Sequence, residues 1–307
     1  MARAAGRSSI VRWPTRPARR CAGSWIGTSR ATCAATPIAS PGGTPWQGPG
    51  DERAAHPLFG GCRVIRLTHG MVLAAGLGLR MRPLTRTTPK PLLTLHGRSL
   101  LDHALDRFGA AGIGRAVVNA HWLADQVAAA VAVRRAPDCV LQHEATLLET
   151  GGGVLRALPE LGPGPFAVAN GDSVWLDGPT PALARLAAAF DPSRMDGLLL
   201  LVRAAQIEGE VGRGDFLMDP LGAIRRPKER EISPYIFAGV QILAPALFAG
   251  APGPEVPFSL NLLYDRAMEN GRLFALVHDG IWFHLSTPGD LERAEAAMAA
   301  GLVRALF

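Results

Sequence analysis

The sequence predicts an α/β fold: a Rossmann-like, mostly parallel sheet with helices on both faces, in a single domain. Three observations carry this. Short apolar runs alternate with helix-period segments between residues 71 and 169, at the spacing of βαβ units. The first run, residues 71–75 (MVLAA), is apolar throughout, as a strand buried on both faces requires. The runs then end in small or polar residues (Gly76; Asn119, Ala120 and His121; Asn170, Gly171 and Asp172), and the carboxyl ends of parallel strands are where such sheets bind ligands.

The elements follow in order. After the strand at 71–75, Ser99 and Asp102 make a helix start resembling a capping box. Leu101, Ala104, Leu105 and Phe108 line one face of that helix, and Gly112 ends it. A strand is expected at 116–119, a helix at 123–133, a strand at 140–142, a short helix at 154–158 after three glycines, and a strand at 166–169. Beyond 196 the pattern changes. Residues 198–202 read as a strand, and "DFLMDPLGAIRR" as a hairpin turning at Asp219, Pro220, Leu221 and Gly222. A strand at 235–243, a helix at 260–270, strands at 274–277 and 282–285 and a last helix from about Asp290 complete one domain.

Charge and cysteine divide the 307 residues unevenly. Residues 1–70 hold ten arginines, no lysine and two acids, a net of +8 out of the formal +6, which leaves −2 for residues 71–307. The basic balance therefore gives no nucleic-acid face to the main body. No run of about twenty apolar residues predicts a membrane span. Cys21, Cys33 and Cys62 fall in the first segment and only Cys139 in the rest, which fits a reducing, cytoplasmic setting, with Cys139 as a buried thiol. Residues 1–70 show no sustained period and oppose a packed core, so a disordered or non-native extension is expected there, with the working domain at 71–307. A transit peptide and a functional basic tail also fit. The arginine-only cation usage, and a first strand beginning beside Met71, favour an upstream start.

The stretch "MVLAAGLGLRMRPLTRTTPKPLL" carries the chemistry. It is not the dinucleotide turn G-x-G-x-x-G, since Met81 stands at the third glycine, and no P-loop pattern occurs. What remains is a strand end with backbone donors freed by Gly76 and Gly78, followed by Arg80, Arg82 and Lys90. That combination suits a polyphosphate, although a glycine turn with solvated arginines has the same composition. Lys90 favours the phosphate reading: it is one of two lysines in the chain, with Lys228, and it sits between Pro89 and Pro91.

The run "LAAGLGLRMRPLTRTTPKPLL" closely resembles the signature of the sugar-1-phosphate nucleotidyltransferases, the nucleoside-diphosphate-sugar pyrophosphorylases. "LLETGGGVLRALPELG", "VANGDSVW" and "YIFAGVQILAPALF" extend the resemblance over nearly all of residues 71–300. The set looks most like the N-acetylmuramate α-1-phosphate uridylyltransferases of cell-wall recycling and the mannose-1-phosphate guanylyltransferases. The resemblance implies the nucleotide-diphospho-sugar transferase type of fold. It implies a reaction between an NTP, UTP favoured, and a sugar 1-phosphate, N-acetylmuramic acid 1-phosphate favoured, that yields an NDP-sugar and pyrophosphate. Guanylyl transfer to mannose 1-phosphate, or an inactive regulatory subunit that binds nucleotide-sugar, are the alternatives. No residue forces the base, and oligomeric state is not readable.

The same resemblance implies roles. Leu73, Ala74, Ala75 and Gly76 match the segment that holds the nucleoside, and Gly78 and Arg80 the phosphate loop. Lys90 matches the lysine on the reacting phosphates. Thr150, Gly151 and Gly152 match the strip beside base and sugar. Asp172 matches the aspartate that binds Mg²⁺. Asn170, Tyr235, Gly239 and Asn261 fall around the sugar, with Asp265 on the Asn261 face of a helix, where a solvated face fits as well. Glu149 reads as a base or sugar contact or as a loop charge; His121 and Trp122 read as a base-pocket edge or a helix cap. In "WFHLSTPGD", His284 stands where the family has its second metal aspartate and Ser286 where it has glycine. His284 then binds metal through a water, contacts the nucleotide, marks a one-carboxylate metal site, or is a half-buried strand histidine.

Overall fold

The computed structural model describes residues 64–207 and 213–301. The readings made for residues 1–63 lie outside the described residues. β1 (His69–Leu73) runs into three short 3-10 turns and a small hairpin of β2 (Thr94–Leu95) and β3 (Arg98–Ser99). Then come α1 (Leu100–Ala110), β4 (Arg115–Ala120), α2 (Ala124–Ala132), β5 (Asp138–His143), α3 (Glu149–Leu161) and β6 (Phe166–Asn170). β7 (Val174–Leu176), α4 (Ala182–Ala189), β8 (Gly197–Arg203), the hairpin of β9 (Leu217–Met218) and β10 (Ile224–Arg225), and β11 (Tyr235–Leu243) follow. The chain continues through α5 (Leu260–Glu269), β12 (Leu273–Val277), β13 (Ile281–Phe283) and α6 (Pro288–Ala299).

Seven strands form the main sheet in the order β12-β8-β11-β6-β1-β4-β5. β11 is antiparallel to both neighbours, and the other pairs are parallel. β1 therefore lies centrally between β4 and β6. Its side chains alternate: Val72 joins a core with α1, α2 and α4, and Met71 joins one with α3 and α5. Helices thus cover both faces, as the apolar strand runs require. Gly70 is there because a Cβ would come 2.6 Å from the Phe108 ring of α1.

The strand begins two residues before the expected position. Leu67 is buried in the core, and the Thr68 carbonyl accepts the Gly114 N–H at 3.1 Å. The folded unit therefore reaches N-terminal to residue 71, and a boundary at 70/71 cuts through β1.

α3 is longer than its apolar pattern predicts. Gly151, Gly152 and Gly153 are buried inside its first turns, not in a loop before it. Glycine is a poor helix former, so sequence reading places such a run outside the helix. Packing reverses this. A Cβ on Gly151 would strike the Phe258 ring, and one on Gly152 would lie 2.7 Å from the Val256 carbonyl. The Phe258 carbonyl accepts both the Gly151 N–H (2.8 Å) and the Gly152 N–H (3.1 Å). The Thr150 hydroxyl in turn accepts the Leu260 N–H at the start of α5 (2.9 Å). Two helix starts thus satisfy one another's backbone groups.

Two outcomes follow. In urea unfolding, a fragment of residues 71–307 is expected to be less stable than residues 64–307 by about 3 kcal/mol or more, from the lost Leu67 burial and strand pairing. Gly151→Ala is expected to lower stability by about 2 kcal/mol without any ligand present. A Gly151→Ala melting temperature equal to wild type would show that the glycine serves ligand approach instead.

Candidate active site

The carboxyl ends of β1, β4 and β6 border a cavity of about 600 Å³. At the strand end, the Ala74 N–H leaves the ladder and donates to Asn119 Oδ1 at 2.7 Å, so β1 stops at Leu73 rather than at 75. The Leu73 carbonyl still accepts the Gly171 N–H at 2.8 Å, which holds the β6 exit against this end.

The following loop is braced from several sides. Gly78 has φ +61°, where an L side chain is strained, and a Cβ there would come 2.9 Å from Thr85 and 3.2 Å from Lys90. The Thr85 hydroxyl donates to the Gly78 carbonyl at 2.7 Å. Met81 is fully buried with Leu95, Leu100, Val174 and Leu285. Trp122 Nε1 donates to the Thr85 carbonyl (3.0 Å) and Gln126 Nε2 to the Thr87 carbonyl (2.9 Å). Trp122 therefore clamps the loop, while the His121 ring bonds the Glu144 carbonyl at 2.8 Å. Arg80 stands exposed beside buried Met81, at the cavity. Lys90 Nζ pairs directly with the Asp172 carboxylate; the lysine side chain is 12% exposed and the aspartate 38%.

Ten of the expected residues line this one cavity: Leu73, Ala74, Ala75, Gly76, Gly78, Arg80, Lys90, Thr150, Asn170 and Asp172. Seven residues expected beside base, sugar or metal do not line it. The amides of Gly151 and Gly152 are taken by Phe258, as above. Gly239 is in the β11 bulge with φ +74°, and a Cβ there would strike Ser173 and lie 2.8 Å from Asn170 Nδ2. It supports Asn170 from behind. Tyr235 opens β11 and packs in the core cluster of α3 and α5. Asn261 accepts from Arg226 Nη2 (2.7 Å), and Asp265 from Arg226 Nε (3.0 Å); the same guanidinium lies 4.6 Å from the Phe216 ring centroid. His284 follows β13, its ring 5.6 Å from that of Trp282, and lines a separate cavity with Asp290 and Arg293. At this chain segment it is Ser286 that reaches the Asp172 cavity.

Sequence reading gave Leu147 and Ser259 no role and noted Ser286 only as a departure from the motif, yet all three line the cavity; Asn119, flagged as a ligand-side strand end, lines it as well. Leu147 and Ser259 come from loops with no periodicity. The Ser286 and Thr287 N–H groups both donate to Asp290 Oδ2 (2.9 and 2.7 Å). Burial alone would raise the Asp290 carboxyl. The bonds from Thr287 and Ser286 and the Arg293 charge outweigh it, and the group lies below the ordinary aspartate value. Glu149 lines the cavity at the start of α3 with φ +58°, a left-handed conformation unusual for a residue with a side chain.

Comparison with known proteins identifies the family and the fold. The model of the MobA-like NTP transferase domain matches residues 70–226. An N-acetylmuramate alpha-1-phosphate uridylyltransferase from Caulobacter vibrioides is 43% identical over 234 residues, covering 75% of this chain and 96% of that protein. One from Neisseria meningitidis serogroup B is 35% identical, covering 75% and 98%. Among solved structures, the inositol-1-phosphate CTP transferase from T. maritima superposes with a TM-score of 0.61 at 19% identity, over 76% of this chain and 96% of that one; it supports the fold alone. The family model spans half of the chain, and the chain covers nearly the full length of two uridylyltransferases at 43% and 35% identity, so it belongs to the MobA-like NTP transferase family and is a nucleotidyltransferase.

Proposed function

We propose that this enzyme transfers a uridylyl group from UTP to N-acetylmuramic acid 1-phosphate, releasing pyrophosphate. The observation that carries the reading is the convergence of Arg80, Lys90 and Asp172 on one cavity at the carboxyl ends of β1 and β6. The identity to the two uridylyltransferases supports the base and the sugar.

In this reading the sugar phosphate oxygen attacks the α-phosphorus of the nucleotide, and the β,γ-diphosphate leaves. The protein's part is alignment and charge. Leu73 to Gly76 and Thr150 border the nucleoside, with the Ala74 N–H already spent on Asn119. Gly78 keeps the loop backbone close to the phosphates. Arg80, on the exposed rim, neutralises charge on the departing diphosphate. Lys90 is held by Asp172 before substrate arrives, and its ammonium turns from carboxylate to phosphate when the triphosphate enters. Asn170, braced by Gly239, faces the acceptor sugar.

A divalent cation fits the donor set. Mg²⁺ favours one or two carboxylates together with phosphate oxygens and water, and Asp172 supplies such a carboxylate. Among the described residues no group of three or more His, Cys, Asp or Glu forms a protein-only cage. The cation, when bound, supplies charge neutralisation at the phosphates, and Asp172 is the residue that would hold it. His284 has no part in this reading. Cys139 is half-buried, and burial pushes its thiol up, so it is a packing residue; the cytoplasm is the setting we propose.

Pyrophosphate release by the full chain with Mg²⁺ tests the proposal, using UTP, GTP, CTP and dTTP against N-acetylmuramic acid, N-acetylglucosamine, mannose and glucose 1-phosphates. UTP with the muramic substrate is expected to be fastest. Asp172→Ala and Lys90→Met are each expected to lower kcat/KM by about a hundredfold or more. A GTP–mannose 1-phosphate preference would replace the substrate assignment. Turnover unaffected by Asp172→Ala would remove the carboxylate from the mechanism.

A further inference from the structure

Asn119 and Glu144 form a buried polar pair that bridges the two backbone walls of the cavity. Glu144 is fully buried and Asn119 nearly so. Asn119 Oδ1 accepts the Ala74 N–H at 2.7 Å, and its Nδ2 donates to Glu144 Oε1 at 2.8 Å. Glu144 Oε2 accepts the Leu148 N–H at 3.0 Å, and Gln142 Nε2 adds a longer bond to Oε1 at 3.3 Å. The partners of the Glu144 carboxylate are thus neutral N–H groups. Burying a carboxylate this way is costly, and an apolar side chain would fill the space at less cost.

What a carboxylate supplies here is direction. It can only accept, so it turns the Asn119 amide with its nitrogen toward Glu144 and its oxygen toward Ala74. A flipped amide would set two donors against each other at the Ala74 N–H and two acceptors at Glu144. Ala74 leads into Ala75 and Gly76 on one wall; Leu148 leads into Glu149 and Thr150 on the other. Gly153 leaves room for the pair, because a Cβ there would lie 2.9 Å from Asn119 Nδ2 and 3.0 Å from Glu144 Oε1.

We infer that Asn119 and Glu144 are positioning residues for the nucleotide: their hydrogen-bond chain, Ala74 N–H to Asn119 to Glu144 to Leu148 N–H, fixes the separation of the two walls between which the nucleoside sits. This rests on the reading of the cavity as a nucleotide site. Neither residue takes part in bond making at phosphorus.

Reversing the chain tests it. Glu144→Gln turns an amide donor toward Asn119 or Leu148. Asn119→Asp sets two carboxylates face to face. The double variant Asn119→Asp/Glu144→Gln restores the chain with its central bond reversed: the new carboxylate accepts from Ala74 and from the new amide, whose oxygen accepts from Leu148, and only the longer Gln142 bond is given up. Steady-state kinetics with UTP and N-acetylmuramic acid 1-phosphate, UTP Kd by calorimetry, and melting temperature are measured for wild type and all three. Each single variant is expected to raise the UTP KM and Kd about tenfold or more, with a smaller change in the sugar phosphate KM. The double variant is expected to return both within about threefold of wild type. If Asn119→Asp does not fold, Asn119→Ala is read in its place, since it leaves Glu144 bonded to Leu148 and Gln142. UTP affinity unchanged in the single variants would overturn the inference, as would losses that follow melting temperature alone and are not recovered in the double. Wild type that binds UTP but releases no pyrophosphate would reject the transfer reading instead, and the Kd series would still decide the positioning role.

Discussion

The Ala74 N–H is where the sheet stops and the site begins. In a parallel ladder each strand carries its hydrogen bonds to the last paired residue, and backbone groups beyond that point need other partners. Here Asn119, from the neighbouring strand β4, takes the first of them. The Leu73 carbonyl takes the Gly171 N–H from the other side. β1 is thereby tied at its tip to both flanking strands, and Asp172, one residue after Gly171, is carried to the same place. The loop from Gly76 onward departs from a fixed point, so Arg80 and Lys90 inherit a defined origin.

α3 shows how packing overrides propensity. Three successive glycines oppose a helix by roughly 1 kcal/mol each relative to alanine. They are tolerated because each absent side chain makes room for something specific: the Phe258 ring, the Val256 carbonyl, and the Asn119–Glu144 pair. The helix lies closer to its neighbours than any side chain would allow, and the Leu148–Thr150 wall is pinned from behind. The glycines thus shape the cavity without lining it, apart from whatever the neighbouring Thr150 contributes.

The sheet, the crossover helices and the central cavity were legible in the sequence, because apolar period and strand-end composition record burial directly. Lys90 and Asp172 were legible through the motifs that contain them, though their direct pairing was not. The less successful placements share a cause. Tyr235 was placed by the motif that contains it and Asn261 by the helix face it shares with Asp265, but Arg226, on a hairpin 35 residues before Asn261, claims both Asn261 and Asp265, and Tyr235 packs against the core. Gly239 was read as a wall and is instead the space behind Asn170 and Ser173. His284 was aligned with a carboxylate position, yet the chain after β13 turns Ser286 toward Asp172 and leaves His284 against Trp282. Long-range partners of this kind leave no periodic trace.

The loop itself divides rigidity from freedom. Its backbone is held by buried Met81, by the Thr85 hydroxyl on Gly78, and by Trp122 and Gln126 on the Thr85 and Thr87 carbonyls. The conformational entropy of ordering those residues is spent in folding, so it is not charged against substrate binding. Arg80 is left exposed beside them at the cavity, and in the proposed reading it gives up rotamer freedom when phosphate arrives. Lys90 is intermediate: it is already ordered by Asp172, and in the proposed reading it exchanges one anionic partner for another, at a cost in electrostatic energy and little in entropy. In the proposed reading a triphosphate meets a preset backbone, one ordered cation in Lys90 and one exposed cation at the cavity in Arg80. That division lets the loop stay closed to collapse yet open to a highly charged substrate.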